Sequence, residues 1–159
     1  MLSLRFAVLP LRAFLVALFA LLVLMQVMSL PGQFAHMAKE SPEDAHLRWP
    51  MLTVAILVVM CMQVVIVATW KLLTMTVDDR IFSERSLVWV DAIVAAVATG
   101  WLLMVGVLLF VGFRADDPGL PLLLTLLVLC GAVLGLLMVV LRALLQQATR
   151  LRTDMDAVI

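Results

Sequence analysis

The stretch Val77-Asp78-Asp79-Arg80-Ile81-Phe82-Ser83-Glu84-Arg85-Ser86 lies near the middle of an otherwise apolar chain. Five of its ten residues are charged, and long apolar segments precede and follow it. Because charged side chains and open backbone groups are excluded from hydrocarbon, this stretch must lie in water or among lipid headgroups. The sequence therefore predicts a membrane protein in which two pairs of helices are joined by a central polar hairpin.

The composition of the chain supports this interpretation. Of 159 residues, 65% are hydrophobic and 14% are charged, with a mean hydropathy of +1.19. Soluble domains carry about 25% charged residues, which they need to cover an apolar core. The solvent of most of this chain is therefore predicted to be the lipid bilayer. The net charge is zero and the sequence has no block of basic residues, so we expect no direct contact with nucleic acid.

Four apolar runs are long enough to cross a bilayer, which takes about 20 helical residues. They cover residues 11–30, 51–73, 87–113 and 119–141. We therefore predict an all-α integral membrane four-helix bundle that forms a single domain over residues 1–159. The first run is longer than the apolar core of a secretory signal, so we interpret it as a retained span.

Proline and glycine predict the limits of the first helix and of the segment that follows it. Pro10 is expected at its first turn, and Pro31-Gly32 at its end. A polar loop is then expected over residues 31–50. Within this loop, Ser41-Pro42-Glu43-Asp44 predicts the start of a short surface helix.

Capping residues predict the starts of the third and fourth helices. Ser83 is the expected N-cap of the third helix, with the Glu84 carboxylate near its positive end. Asp117-Pro118 is expected to open the fourth helix. Since only residues 114–117 separate the two helices, we predict that they are antiparallel neighbours.

The distribution of lysine and arginine predicts the orientation in the membrane. One side carries eight basic residues and the other three. The larger group consists of Arg5, Arg12, Lys71, Arg80, Arg85, Arg142, Arg150 and Arg152, and the smaller of Lys39, Arg48 and Arg114. Because basic residues are enriched on the cytoplasmic side, both termini, the hairpin (residues 74–86) and the tail (residues 142–159) are expected in the cytoplasm. The loop over residues 31–50 is expected outside.

Asp91 is an acidic residue within the apolar third segment, where a carboxylate is costly. Counting along the antiparallel helices places Asp91, Arg142 and Lys71 at similar depth near the cytoplasmic interface. We expect these three residues to form an interface charge cluster. Two interpretations are open: a clamp that fixes the helix register, or a proton or ion site whose charge moves the helices.

Gly131 and Gly135 form a GxxxG pattern in the fourth span, which allows two helix backbones to approach closely. A surface of small residues on the third span is a candidate partner for these glycines, and it consists of Ala92, Ala95, Ala96, Thr99 and Gly100. Packing within one bundle and packing between two copies of the chain are both compatible with this pattern. We favour packing within the bundle because the short turn already brings the two helices together.

The tail continues the fourth helix with an amphipathic pattern. Its apolar residues recur every three or four positions, at Leu141, Leu144, Ala148, Leu151, Met155 and Val158. Two interpretations are open: the tail lies on the membrane surface or against the hairpin, or it presents a docking strip to a cytoplasmic partner. The candidate docking residues are Arg80 and Phe82 of the hairpin together with Leu144, Ala148, Leu151 and Met155 of the tail.

The sequence contains no pattern that indicates catalysis. It has no glycine-rich phosphate loop, no HExxH and no GxSxG motif. His36 and His46 lie in the predicted polar loop without the spacing of metal ligands. We therefore expect a protein that is not an enzyme and that has no cofactor and no metal site.

The hairpin Arg80-Ile81-Phe82-Ser83 and residues 141–159 resemble the bacterial DUF2975 family of four-span membrane proteins. The resemblance extends over most of the chain and is most specific in the tail. It implies a bacterial inner-membrane location and a family whose function is uncharacterised. Family members are often encoded beside a small helix-turn-helix regulator, which the resemblance makes a candidate partner. The family pattern also implies a glycine before the Arg-Ile-Phe-Ser turn, where this chain has Asp79.

These observations lead to two hypotheses about function. The leading one is a membrane sensor or anchor whose hairpin and tail bind a cytoplasmic DNA-binding regulator. The alternative is a small transporter for ions or small molecules, active as a homo-oligomer, in which Asp91 is the functional residue.

Overall fold

The computed structural model describes the backbone of residues 2–158 and the side chains of residues 3–158, and the chain is helical almost throughout. The five α-helices are α1 (Leu2–Leu24), α2 (Leu30–Glu40), α3 (Arg48–Val77), α4 (Glu84–Gly112) and α5 (Gly119–Val158). A π-helical turn, Met25–Ser29, joins α1 to α2, and a 3₁₀-helix, Pro42–Leu47, precedes α3. The prediction of an all-α fold is confirmed.

Four helical stretches are long and apolar enough to cross a membrane. They are Ser3–Glu40, Pro42–Val77, Glu84–Gly112 and Gly119–Val158. The stretches contain 29 to 40 residues, so each is longer than the roughly 20 residues that cross the hydrocarbon. These helices are consistent with a multi-pass membrane protein. Each has additional turns, at one or both ends, beyond the length needed to cross the hydrocarbon.

The first helix is longer than predicted at both ends. It already begins at Leu2, so Pro10 lies inside it, where its missing N–H removes one backbone hydrogen bond. Pro31 does not end the helix either. Leu30 donates its N–H to the Met25 carbonyl oxygen five residues back. The wider π turn relieves the clash that the Pro31 ring would make with the preceding turn, and helical structure continues to Glu40.

The segment over residues 31–50, predicted as a polar loop, is largely helical. The first ten of these residues belong to α2, and residues 42–47 form the 3₁₀-helix. The expectation of a short helix after Ser41 agrees with that segment. Only Ser41 separates the two helices, with an extended-like conformation of φ −125° and ψ 82°.

The helices pack in a row that follows the order of the chain. Within the described residues, α1 and α2 pack on α3, α3 packs on α4, and α4 packs on α5. In that same part of the chain α1 and α5 make no extensive contact, so the row does not close into a ring. Most large apolar side chains are consequently exposed at the surface of the protein, where lipid takes the place of a protein core.

The best-buried seam lies between α3 and α4. On α3 it contains Leu52, Val59 and Ile66, which are seven residues apart, and on α4 it contains Val90 and Ile93. A seven-residue spacing keeps the same face of a helix toward its neighbour, as in left-handed coiled coils. The two central helices therefore form the core on which the outer helices pack.

The hairpin between α3 and α4 is shorter than the predicted residues 74–86, because residues 74–77 belong to α3 and residues 84–86 to α4. It comprises residues 78–83 and begins with a Schellman motif. The Arg80 N–H donates to the Met75 carbonyl oxygen at 2.8 Å, and the Asp79 N–H donates to that of Thr76 at 3.3 Å. Asp79 has a φ of 56°, in the left-handed region that favours glycine. The position at which the family resemblance implies a glycine thus has the backbone conformation that glycine favours.

The starts of α4 and α5 agree with the predicted positions to within two residues. Ser83 is the N-cap residue of α4, although its hydroxyl donates to the Arg80 carbonyl oxygen at 2.7 Å and does not cap the helix. A carboxylate oxygen of Asp117 accepts the Gly119 N–H at 3.2 Å at the start of α5. Both helices therefore begin at the polar residues that separate one apolar run from the next.

The conformation of Asp79 generates the first prediction. Replacing it with glycine or with alanine removes the same carboxylate, but only alanine keeps a Cβ atom in the left-handed conformation. We expect Asp79→Gly to have a free energy of unfolding about 1 kcal/mol higher than Asp79→Ala. Titration with a denaturing detergent in mixed micelles measures both values.

Asp78 provides the matched control for this comparison. Its φ of −84° is open to any residue. The order should therefore reverse, with Asp78→Ala at least as stable as Asp78→Gly. Equal stability of the two Asp79 variants would show that the left-handed conformation carries no cost.

Candidate functional site

The candidate site is the hairpin end of the molecule, where the hairpin (residues 78–83), the first turns of α4 and residues 142–158 of α5 come together. The first helix also reaches this end, since the Arg12 guanidinium donates to the Thr74 hydroxyl at 3.1 Å. At the opposite end, Arg114 lies 4.0 Å from Asp44. The polar side chains of the chain are thus concentrated at two ends, and the hairpin end is the richer in basic residues.

Ser86 fixes the hairpin onto α4. Its side chain is fully buried, and its hydroxyl lies within hydrogen-bonding distance of the carbonyl oxygens of Ile81 and Ser83. One hydroxyl proton serves one acceptor at a time, so the two carbonyls share this donor. Sequence reasoning missed Ser86, although a serine three residues after the N-cap, before an apolar run, is a signal that could have indicated it.

Asp91 and Arg142 form an ion pair between α4 and α5. Two guanidinium nitrogens of Arg142 contact the two carboxylate oxygens of Asp91, one of them at 3.2 Å from Nη2 to Oδ2. Such a two-point contact fixes direction as well as distance. The structure therefore brings together two members of the expected charge cluster and pins the depth of α5 relative to α4.

Lys71 does not join this pair, which corrects the expectation that all three residues meet. Within the described residues its ammonium group makes no ion pair with Asp91. It lies instead 5.9 Å from the centre of the Trp89 ring, in a cation–π contact. Trp89 and Asp91 are two positions apart and so point to different sides of α4. The similar depth of Lys71 and Asp91 along their helices therefore does not bring the two side chains together.

The tail of α5 turns its polar face toward the hairpin. The Arg152 guanidinium lies 3.5 Å from a carboxylate oxygen of Asp79 and 5.6 Å from the centre of the Phe82 ring. Thr149, one turn earlier, is only 2% exposed. Of the two open interpretations of the tail, the structure therefore shows it packed against the hairpin. The contact consists of an ion pair and a cation–π interaction of Arg152.

The apolar stripe of the tail consequently remains uncovered by the rest of the protein. Leu144, Leu151 and Met155 are 55%, 59% and 68% exposed. Ala148, at the edge of the stripe, is half-buried. Of the hairpin candidates, Arg80 is exposed and Phe82 is partly covered by Arg152. Of the predicted docking residues, Leu144, Leu151 and Met155 therefore form an exposed apolar stripe, and Arg80 of the hairpin is exposed as well.

Gly131 and Gly135 face α4, where they allow close approach of the two helices. A Cβ atom on Gly131 would lie 2.9 Å from Cδ1 of Trp101, while one on Gly135 would lie 3.7 Å from a methyl group of Val97. The Trp101 indole N–H donates to the Val128 carbonyl oxygen of α5 at 2.9 Å. The space that Gly131 leaves on α5, here called the notch, thus accommodates the Trp101 ring. Sequence reasoning missed Trp101, although an indole N–H in an apolar span needs a hydrogen-bond acceptor.

The small-residue surface of α4 has a different partner from the one expected. A Cβ atom on Gly100 would lie 3.6 Å from that of Cys61 on α3, and Ala96 is buried in the α3–α4 core. The expectation that this surface meets the glycines of α5 is therefore wrong. The rotation of α4 directs Ala96 and Gly100 toward α3 and the larger Val97 and Trp101 toward α5, while Ala95 and Thr99 are exposed.

Two further polar features lie outside the hairpin end. Gln63 of α3 donates a hydrogen bond of 2.9 Å to the side-chain oxygen of Gln26, which belongs to the π-helical turn. His36 contacts Glu40 at 3.2 Å. Among residues 3–158, no three His, Cys, Asp or Glu side chains lie close enough together to hold a metal ion.

The contact between Gly131 and Trp101 generates a prediction about packing. Gly131→Ala should lower the free energy of unfolding by about 1 to 3 kcal/mol, because the new methyl group overlaps the indole ring. Gly135→Ala is the matched control, and we expect a change within about 0.5 kcal/mol because its methyl group meets ordinary contact. Unfolding in mixed micelles measures both, and similar losses in the two variants would contradict the assignment of the notch.

The ion pair generates a prediction about coupling. Asp91→Asn and Arg142→Gln should each lower the melting temperature, because each leaves the other charge without its partner. The double variant should lose no more than the larger single loss, since the two side chains act as one unit. Thermal unfolding of the four proteins checks this, and Arg150→Gln, at an exposed tail position, is the control for loss of charge. Additive losses would mean that the two residues stabilise the protein independently.

Comparison with known proteins gives one match. The family described as "Protein of unknown function (DUF2975)" matches residues 32–159. Searches of curated proteins and of solved structures found no match. The matched region covers α3, α4, α5, the hairpin and the tail, which include the whole candidate site. The chain therefore belongs to the DUF2975 family.

Proposed function

We propose that this protein is a non-enzymatic membrane anchor or sensor that binds a cytoplasmic partner through the apolar stripe of its tail. The observation that carries the proposal is the orientation of the tail. Its polar face is turned toward α4 and the hairpin, since Arg142 pairs with Asp91 of α4, Arg152 contacts Asp79 of the hairpin, and Thr149 is buried, so the apolar stripe faces outward.

The length of α5 supports a tail that extends past the hydrocarbon. The helix has 40 residues, which corresponds to about 60 Å, or twice the thickness of the hydrocarbon core. The Asp91–Arg142 pair favours an interfacial position because a charge pair is costly at greater depth. Leu151 and Met155 lie two to four turns beyond Arg142. A contiguous apolar surface in water is costly, and such surfaces commonly mark binding sites.

The distribution of basic residues supports the cytoplasm as the location of the hairpin end. The directions of the helices bring all eight members of the larger basic group to this end, and Lys39, Arg48 and Arg114 to the other. Under the positive-inside rule the hairpin end is cytoplasmic, with both termini on that side. The family resemblance supports a bacterial inner membrane.

The nature of the stripe supports a helical or grooved protein surface as the partner. Leu144, Leu151 and Met155 have the spacing with which an amphipathic helix fits a groove. The family resemblance favours a small DNA-binding regulator as the partner. The transport alternative depends on Asp91, and the engagement of that carboxylate by Arg142 favours a structural role for it.

Photocrosslinking in cells tests the proposal. A photoreactive amino acid at Leu151 should capture a cytoplasmic protein, because that position lies in the centre of the stripe. The same amino acid at Arg150, which is exposed on a polar part of the tail, is the matched control and should give little of that product. Mass spectrometry identifies the captured protein, and a soluble cytoplasmic product also reports the orientation.

Substitution within the stripe tests whether the captured protein binds there. Leu144→Ser together with Met155→Ser should remove the adduct formed from Leu151, while expression and membrane insertion remain unchanged. Capture of lipid alone, or only of a second copy of this chain, would contradict the proposal. Equal capture from Leu151 and Arg150 would also contradict it, since the stripe would then have no special role.

A further inference from the structure

A basic cavity lies at the hairpin end of the molecule. It has a volume of about 420 Å³ and is lined by Lys71 and Thr74 of α3, by Asp78 and Arg80 of the hairpin, and by Arg85 at the start of α4. Three cationic side chains thus share this space with one carboxylate. The cavity is open at the protein surface and belongs to the family-matched region.

A fourth cation lies at the edge of this cavity. The Arg12 guanidinium donates to the Thr74 hydroxyl, which itself lines the cavity, and lies 5.3 Å from the centre of the Trp70 ring. The Arg12 Nε atom is buried and has no hydrogen-bond partner in the described part of the chain. The first helix therefore adds a further positive charge beside the cavity.

Within residues 3–158, these four cations form no ion pairs. Across residues 3–158, the carboxylates in ion pairs are those of Glu40, Asp44, Asp79 and Asp91, and their partners are His36, Arg114, Arg152 and Arg142. None of these pairs includes Arg12, Lys71, Arg80 or Arg85. One carboxylate, Asp78, faces three cations in the cavity, so the site has a net positive charge that fits an anion.

An apolar groove leads from the basic cavity along the membrane-spanning part of α1 and α3. It has a volume of about 300 Å³, and its walls include Leu15, Phe19, Ile66 and Trp70. Lys71 lines both the groove and the cavity, so the two spaces adjoin at this residue. A molecule with an anionic head and an apolar chain would fit the basic cavity with its head and the apolar groove with its chain.

We propose that the basic cavity and the adjoining groove bind an anionic phospholipid. Its phosphate lies among Lys71, Arg80 and Arg85, with Arg12 at the edge, and one acyl chain follows the groove between α1 and α3. Guanidinium and ammonium groups are the usual partners of phosphate oxygens. Basic pockets at the ends of membrane helices are typical sites for anionic headgroups.

The groove favours a lipid over a free phosphate compound. A soluble phosphate ligand would use the cavity alone and leave the Leu15–Phe19 side of the groove without a role. Trp70 and Arg12 are residue types that belong at the level of the headgroups. The bound lipid would strengthen the attachment of α1, whose main packing partner among the described helices is α3.

Native mass spectrometry of the purified full chain tests this inference. The protein in neutral detergent is mixed with equal amounts of phosphatidylglycerol and phosphatidylcholine, and the fraction carrying one bound lipid of each kind is measured. We expect the unmodified protein to prefer phosphatidylglycerol by about tenfold or more. Lys71→Gln together with Arg85→Gln should abolish this preference, and Arg80 is retained so that the proposed partner surface is unchanged.

Matched variants separate charge from fold. Lys71→Arg together with Arg85→Lys keeps both charges and should keep most of the preference, and Arg150→Gln removes an exposed cation elsewhere and should keep all of it. Helical content and monodispersity establish that each variant is folded. If the double glutamine variant does not fold, Lys71→Gln alone takes its place, with an expected loss of several-fold.

Three results would overturn the inference. One is an unchanged phosphatidylglycerol preference in the folded glutamine variant. A second is equal binding of phosphatidylglycerol and phosphatidylcholine by the unmodified protein. The third is binding of glycerol 3-phosphate at the cavity with no binding of the lipid, which would assign the site to a free phosphate compound. None of these results depends on a protein partner at the tail.

Discussion

The fold depends on one constraint: every backbone N–H and C=O group within hydrocarbon must find its partner inside the protein. Helices meet this demand segment by segment, which accounts for a chain that is helical from residue 2 to residue 158 apart from short turns. The constraint also explains why helical structure passes through Pro31, since a π turn keeps the neighbouring carbonyls bonded at a place where a soluble protein would let the chain turn away. Irregular backbone occurs at the two polar ends. The hairpin end has the larger concentration of charged side chains, and these can bind a partner or ligand.

Three directional contacts at different depths join α5 to the rest of the described residues. Trp101 reaches over Gly131 to a backbone carbonyl, Asp91 engages Arg142, and Asp79 with Phe82 receives Arg152. Each contact is directional, in contrast to the apolar seam between α3 and α4. Because lipid is as apolar as leucine, the hydrophobic effect does not drive helices together within the bilayer. Directional contacts and close backbone approach provide the free energy of association instead. The same three contacts determine the rotation of α5, and with it the direction in which the apolar stripe of the tail faces.

The sequence was sufficient to predict four membrane-competent helices, the hairpin and its turn, and the depth at which Asp91 and Arg142 meet. Run length and residue counting along antiparallel helices contain that information. The rotation of each helix about its axis was not predictable, and this explains why Lys71 was wrongly placed beside Asp91 and why the small residues of α4 were assigned to the wrong neighbour. The predicted helix start at Pro10 and helix end at Pro31 were wrong. In soluble proteins proline often marks a helix boundary, but in hydrocarbon the backbone has no water to replace its helical hydrogen bonds, so the helix continues. Ser86, Trp101 and the Gln26–Gln63 pair were missed, although each is a polar group in an apolar run.

The continuity of α5 has a mechanical consequence. Its 40 residues form one α-helix without an internal proline after Pro121, so the segment behaves as a stiff rod that connects the two faces of the protein. A tilt of about 5° about its middle would displace each end of a rod of about 60 Å by roughly 2.5 Å in opposite directions. Changes in bilayer thickness or lateral pressure act on the tilt of such rods. A change in the tilt of α5 would therefore move Leu151 and Met155 sideways with no conformational change inside the helix.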